Sequence, residues 1–273
     1  MDKNQKVIKN IFVVLTYRNY EDLQDFIDSV NDRVKNYKII VVNSFFDDDS
    51  MEIIKNIALS NNCEFLNIPN KGYSFGNNVG VRYALENFRF EHLVISNADI
   101  IVQNFDTSQL EQGNIYCGEL ITLRGNNQNP MIIYDNKISD WLIYKGYKKN
   151  KKFFLTLGIG INKIVRETFR FFTSSKKQIQ IFQPHGAFIV FTRESIKQLR
   201  DVFDEKVFLF GEEGILAKRA RSKGIRIFYT KYFSCLHKED GSVGLFKGNI
   251  SQEYKKAIIY YYENYCQNKV EGK

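Results

Sequence analysis

Leu93-Val94-Ile95-Ser96-Asn97-Ala98-Asp99 is the stretch on which the reading of this chain turns. A short apolar run ends abruptly in small polar residues and one carboxylate, Asp99. A buried parallel strand delivers a charged residue to the edge of a sheet in this way, where open α/β folds place their ligands. A carboxylate so placed suits a divalent cation and the phosphate that the cation neutralises.

Upstream, strand and helix signals alternate. Ile11–Leu15 is a compact apolar strand. Residues 20–34 carry Leu23, Phe26, Ile27 and Val30 at helical spacing. Lys38–Val42 reads as a second strand ending in Asn43 and Ser44. Asp49 or Ser50 is expected to cap a helix over Met51–Ser60. Glu64–Ile68 is a third strand, Gly76–Glu86 a helix and His92–Ser96 a fourth strand. Short strands separated by helices imply a mainly parallel sheet flanked by helices. Thr16, Asn43 and Asp99 then share one sheet edge. A single polar strand end is ordinary, but three on one edge outline a crevice.

Downstream the pattern changes. Ile115–Leu123 and Pro130–Tyr134 read as strands of a mixed or antiparallel part, and Gln183–Thr192 as another. Glu213–Lys223 reads as a helix closed by Gly224, and Ile225–Tyr229 as a strand. Gly241, Gly244 and Gly248 follow, then a Tyr-rich helix over Gln252–Asn264. Tyr254, Tyr260, Tyr261, Tyr262 and Tyr265 form either an interface with a second copy or a face packed on the core.

At 273 residues with three prolines and no linker, one large core is expected. The four cysteines form no CxxC, which argues against zinc and for a reducing compartment. No signal peptide or membrane span is read. The +8 charge is concentrated: residues 145–177 hold ten Lys/Arg against one glutamate, a local +9 that leaves −1 for the rest. Within this block Phe154, Leu157, Ile161, Val165, Phe169 and Phe172 follow three-or-four spacing. An amphipathic helix lying on an anionic membrane surface is expected; a helix packed on the domain with a solvated basic face is the alternative. One basic block without a recognition motif argues against nucleic acid.

Three further groups carry chemistry. Asn70–Gly80, NKGYSFGNNVG, has three glycines that permit a tight turn, before a helix N-terminus suited to phosphate. Glu212-Glu213 follow an aromatic run at a helix start, as a general base or as helix-end carboxylates. His237 is a candidate metal or phosphate ligand, His185 could line the acceptor side, and His92 reads as structural.

These groups, in this order, resemble the inverting family 2 glycosyltransferases, and among them rhamnosyltransferase-like and capsule-building members. VVLTYRN, VVNSFFDDD, NKGYSFGNNVG, ISNAD and FLFGEEGILAKRARSKG match family patterns such as VVxxYN, VDNxSxD, NxGFxxxxNxG, NxD and FLYxEDxxLxxRxxxxG, with His237 as the following histidine. The resemblance covers most of residues 11–240. It implies a single Rossmann-like A-type glycosyltransferase domain over 1–250. A nucleotide-binding half spans 8–105, an acceptor-binding half spans 106–250 and includes 145–177, and a C-terminal helical extension spans 251–273.

The resemblance implies that Thr16 and Tyr17 lie near the nucleotide and Asn43 at the base-reading position. Asp48, Lys71, Gly72, Asn78 and Asn97 border the nucleotide and diphosphate. Asp99, with His237, holds Mg²⁺ or Mn²⁺, and Glu213, or Glu212 beside it, is the base. Asn43 stands for an aspartate, Asn97 removes one carboxylate from the metal motif, and Glu213 is one methylene longer than the family's aspartate. The implied reaction is inverting transfer from a UDP- or dTDP-sugar to a saccharide acceptor, lipid-linked, in cell-surface polysaccharide synthesis. The implied place is peripheral, on the cytoplasmic face of the plasma membrane. The alternative is a non-catalytic membrane-surface or saccharide-binding protein that keeps the fold. A nucleotidyltransferase is disfavoured, because no Gly-rich, Lys/Arg-bearing loop follows Ile11–Leu15.

Overall fold

The computed structural model describes residues 6–173, 175–239 and 248–267. Gly241 and Gly244 of the glycine-containing stretch lie outside them.

β1 (Ile8–Thr16), β2 (Tyr37–Phe45), β3 (Glu64–Pro69) and β4 (Phe90–Asn97) form a parallel sheet in the order β3-β2-β1-β4. The apolar middles of β1, β2 and β4 are fully buried, Ile11–Val14 and Leu93–Ile95 among them. Each such side chain removed from water contributes roughly 1.5–3 kcal/mol. Burial on both faces follows from the helices that connect the strands: α1 (Tyr20–Arg33), α2 (Asp48–Ser60) and α3 (Tyr73–Asn87). Asp47 caps α2, its side chain accepting from Ser50 N at 2.9 Å; Asp49 and Ser50 lie inside the helix. The register aligns Thr16 with Asn43, Asn43 with Asn67, and Leu15 with Asn97. The strand ends therefore do share one edge.

Beyond β4 the strands pair in both senses, as the change of pattern after Asp99 implied, so the sheet as a whole is mixed rather than mainly parallel. β5 (Ile100–Phe105) and β6 (Ile115–Thr122) come first. Helices α4 (Lys137–Lys148) and α5 (Lys152–Thr173) follow, then β7 (Gln178–Ile181), β8 (Phe188–Thr192), α6 (Arg193–Leu199), α7 (Glu212–Ser222) and β9 (Ile227–His237). β8 runs antiparallel to β4 and β6, β6 parallel to β9, and β5 and β7 antiparallel to β9. Pro130–Tyr134 is not a strand. It is a loop touching the sheet through one bridge, Ile132 to Gln183. β9 runs on to His237, well past the expected end at Tyr229.

α5 packs against α4. Ser139 Oγ donates to the Gly158 carbonyl at 2.8 Å, and Val165 and Phe169 join the core cluster beneath the sheet. Arg170 turns inward and donates to the Asn127 and Asn129 carbonyls at 2.6 and 3.1 Å. The face expected to lie on a surface is therefore partly the packed face. The terminal helix α8 (Ile250–Tyr261), followed by a π-helical turn at Tyr262–Cys266, packs Ala257 and Tyr261 with Val207 and Ile215.

Candidate active site

A cavity of about 500 Å³ opens along the C-terminal edge of the parallel strands. Leu15, Tyr17, Ser44, Asn97 and Asp99 form its sheet side. Glu212, Glu213 and the loop before them form the opposite side, and Tyr254, Ile258 and Tyr261 of α8 form part of the wall.

At the sheet end, Asp99 is buried and its Oδ2 lies 3.3 Å from His237 Nε2. The pairing of β5 with β9 produces this approach. Ile100 stands opposite His237, and Lys238 N donates to the Asp99 carbonyl at 3.0 Å. Gln128 fixes the imidazole. Its Nε2 donates to Glu239 at 2.8 Å, so its Oε1 faces His237 Nδ1 at 2.6 Å. Nδ1 must then carry a proton, and Nε2 is the ring nitrogen that faces Asp99. This is the outer support that metal-binding histidines use. Two lone-pair donors at 3.3 Å need a proton or a cation between them. Neighbouring ligands of an octahedral Mg²⁺-sized ion lie about 3 Å apart, so the pair fits one. Among the described residues, no three His, Cys, Asp or Glu side chains gather to hold a metal unaided. Such an ion would take the rest of its ligands from phosphate and water, as Mg²⁺ commonly does.

His185 completes this end, its ring centroid 5.6 Å from that of His237. Ala187 N donates to its Nδ1 at 3.2 Å, leaving Nε2–H as a donor. Burial, then the neighbouring His237, lowers its pKa to about 4 despite Asp99, so it is neutral at pH 7.

At the other end, Phe210 and Gly211 both adopt positive φ, +70° and +76°. This turn swings the first residues of α7 into the cavity. Burial raises the pKa of both Glu212 and Glu213, and the charge of Glu213 raises Glu212 further. Their surroundings differ. Glu213 Oε1 accepts from Gly186 N at 3.2 Å, whereas Glu212 Oε2 is buried without a hydrogen-bond partner. Of the two, Glu213 is equipped to carry the charge. Gly186 is itself clamped, its carbonyl accepting from Tyr73 Oη at 2.9 Å. A Cβ on Gly186 would lie 2.8 Å from Glu213 Oε1.

The other residues expected at the site divide into two sets. Tyr17, Gly72, Asn97 and Asp99 line the cavity. Tyr17 meets Phe46 edge-on at 5.6 Å, and the Arg18 guanidinium lies 4.2 Å from the centroid of the Phe46 ring. Thr16 and Asn43 are buried beneath the edge, Thr16 Oγ1 donating to the Val42 carbonyl at 3.3 Å and Asn43 Nδ2 to Asn67 Oδ1 at 2.8 Å. Asp48 is exposed at the start of α2, and Lys71 is exposed with its ammonium 5.0 Å from the Phe75 ring centroid. Asn78 is buried and bonds the 203–205 loop: its amide donates to the Phe203 carbonyl and to Glu205, and its oxygen accepts from Phe203 N.

The glycine-rich turn is largely structural. Gly72 has φ +98°, and a Cβ there would lie 2.3 Å from the Phe208 carbonyl oxygen, whose partner is Tyr73 N. Gly76 and Gly80 let α3 sit directly on Leu15 and Val13. Gln128, Glu239, Tyr73 and Gly186 were not assigned roles from sequence. Tyr73 lay within the glycine-containing motif and Gly186 beside His185 near the start of an expected strand, whereas Gln128 and Glu239 had no local signal.

Residues 11–110 match the family model described as Glycosyl transferase family 2. No curated protein matches the chain. Among solved structures, a crystal structure of GalNAc-T7 with UDP, GalNAc and Mn²⁺ superposes with a TM-score of 0.61 at 12% identity. The superposition covers 97% of this chain and 50% of that one. The chain thus spans about half the length of that structure's chain. The fold is a GT-A-like α/β domain with a mixed sheet flanked by helices, and its residues 11–110 are similar to the family 2 glycosyltransferases.

Proposed function

We propose that this protein transfers a hexosyl or deoxyhexosyl group from a UDP- or dTDP-sugar to a saccharide hydroxyl, inverting the anomeric carbon. The observation that carries this reading is the meeting of two unlike ends in one cavity: the Asp99–His237 pair, and Glu213 held by the Gly186 N–H.

In this reading the donor lies along the sheet edge with its base toward Tyr17 and Ser44. Asp99 and His237 are the side chains that would hold Mg²⁺ or Mn²⁺, which when bound stabilises negative charge on the leaving diphosphate. Neutral His185 offers its Nε2–H as a further donor to that charge. Glu213 accepts the proton of the acceptor hydroxyl as its oxygen bonds to the anomeric carbon and the sugar–phosphate bond breaks on the opposite face. Burial and the neighbouring Glu213 charge disfavour ionisation of Glu212, which keeps a second negative charge from forming beside the base. Gly186 and Tyr73 hold Glu213 in line with acceptor and sugar, and such alignment supplies much of the rate. A lipid-linked saccharide is the acceptor class we propose, in building cell-surface polysaccharide.

The test is turnover with a panel of UDP- and dTDP-sugars and saccharide acceptors. Wild type is expected to consume one donor, and Glu213→Gln to bind that donor with unchanged affinity while losing turnover. Absence of donor binding across the panel contradicts the proposal.

A further inference from the structure

Helix α5 presents three faces. Gly158, Val165 and Phe169 turn toward α4 and the core. Ile159 and Asn162 help line the cavity. Phe153, Leu157, Ile164 and Phe171 recur at spacings of four and seven residues, which at 100° per residue places them within about 40° of one another. They are 71, 43, 69 and 79% exposed, and Phe172 beside them is 74% exposed. The result is an outward apolar stripe about 27 Å long at 1.5 Å per residue. Single exposed apolar residues are ordinary, but a continuous stripe is not.

The charge around the stripe selects its occupant. Lys149, Lys151, Lys152, Lys163, Lys176 and Lys177 are all exposed in this segment, which carries the chain's net positive excess. A second copy docking through the same face would set this charge against itself. Among the described residues, no helix is long and apolar enough to cross a membrane. An apolar stripe flanked by lysines matches a bilayer surface with anionic headgroups.

We infer that the protein docks on an anionic lipid bilayer with α5 lying flat. Phe153, Leu157, Ile164, Phe171 and Phe172 enter the headgroup boundary and the lysines meet the phosphates. This face shares only Leu157 and Phe172 with the one read from the sequence, since Val165 and Phe169 pack on the core. The docking stands independently of sugar transfer. One consequence rests on that reading: because Ile159 and Asn162 share the helix, docking holds the cavity about one helix diameter, ~10 Å, from the bilayer. An acceptor anchored by a lipid could then reach Glu213 without leaving the membrane.

The experiment is sedimentation of the full chain with vesicles of phosphatidylcholine alone, or with phosphatidylglycerol added. Wild type is expected to bind the mixed vesicles at least ~10-fold more tightly than the neutral ones. Combining Phe153→Gln, Ile164→Gln and Phe171→Gln should weaken binding by ~10-fold or more. Lys151→Glu with Lys152→Glu and Lys163→Glu should abolish the preference for anionic lipid. A conservative probe, Phe171→Trp, guards against misfolding: its fluorescence should shift to the blue with anionic vesicles. Any of three results overturns the inference: no vesicle binding by wild type, equal binding to both compositions, or a wild-type dimer that dissociates in the triple glutamine variant without lipid involvement. Calorimetry with nucleotide sugars on the same preparations separates the two readings, because lost donor binding with intact vesicle binding counts against transfer alone.

Discussion

The two ends of the cavity solve the same problem, a buried charge, in opposite ways. At the Asp99 end the structure supplies orientation: Glu239 sets Gln128, Gln128 sets the His237 ring, and Nε2 faces a carboxylate. The arrangement is complete only with a proton or cation in the gap. At the Glu213 end the Gly186 N–H bonds one of two carboxylates, and an oxygen of the other is left buried without a partner. That arrangement favours a single negative charge. One end is prepared to receive charge from outside, and the other to carry one charge and exclude a second.

The strongest challenge to this contrast is removal of the base. Glu213→Gln should lower kcat by about 10²–10⁴, the usual contribution of a positioned acid or base, with the donor Kd unchanged. Equal losses for Glu212→Gln would erase the distinction between the carboxylates. In wild type, kcat should rise with pH through the raised pKa of Glu213, because only its ionised form accepts a proton.

Gly186→Ala should come next, at roughly 10–100-fold in kcat, because a Cβ pushes on Glu213 Oε1 and small misplacements are costly. Gln128→Leu tests the other end. It should weaken Mn²⁺ affinity by about 10–100-fold, as loss of an outer partner does, while Glu213-dependent behaviour persists at saturating metal.

The smallest effect has an unusual sign. Glu212→Gln should stabilise the fold at neutral pH by about 1–3 kcal/mol, since it removes a carboxyl whose ionised form is disfavoured by burial and by Glu213. The folded-state pKa of Glu212 lies above the ordinary 4.5. Its wild-type contribution is therefore fully present below that value and is lost as pH rises through the folded-state pKa. The advantage of the variant should accordingly shrink toward acid. Thermal denaturation across pH measures it.

The same contrast marks what was legible in the sequence. The Asp99 strand end, and the sharing of one edge by Thr16, Asn43 and Asp99, could be read because parallel strands buried on both faces write continuous apolar runs. The Glu212-Glu213 helix start was visible for a similar reason. What joins them was not. β5 begins one residue after Asp99, and its register with β9 is set by contacts more than a hundred residues apart. Gln128 sits in a loop with no periodicity to read. Asn78 and the glycines around it stood out from the sequence, but as packing devices they look the same as phosphate-binding ones. Only the backbone of Phe208 pressed against Gly72 distinguishes the two. α5 was legible from the spacing of Phe154 to Phe172, yet the face it turns outward depends on α4, which a helical pattern alone does not reveal.

Calorimetric titration of wild type and Asp99→Asn with UDP and with dTDP, each with and without Mn²⁺, tests the central claim most directly. Mn²⁺ should tighten binding of at least one nucleotide to wild type by about tenfold or more, and should have no such effect on Asp99→Asn. Nucleotide binding that is indifferent to Mn²⁺ in wild type, or a metal effect that survives the substitution, would contradict the account.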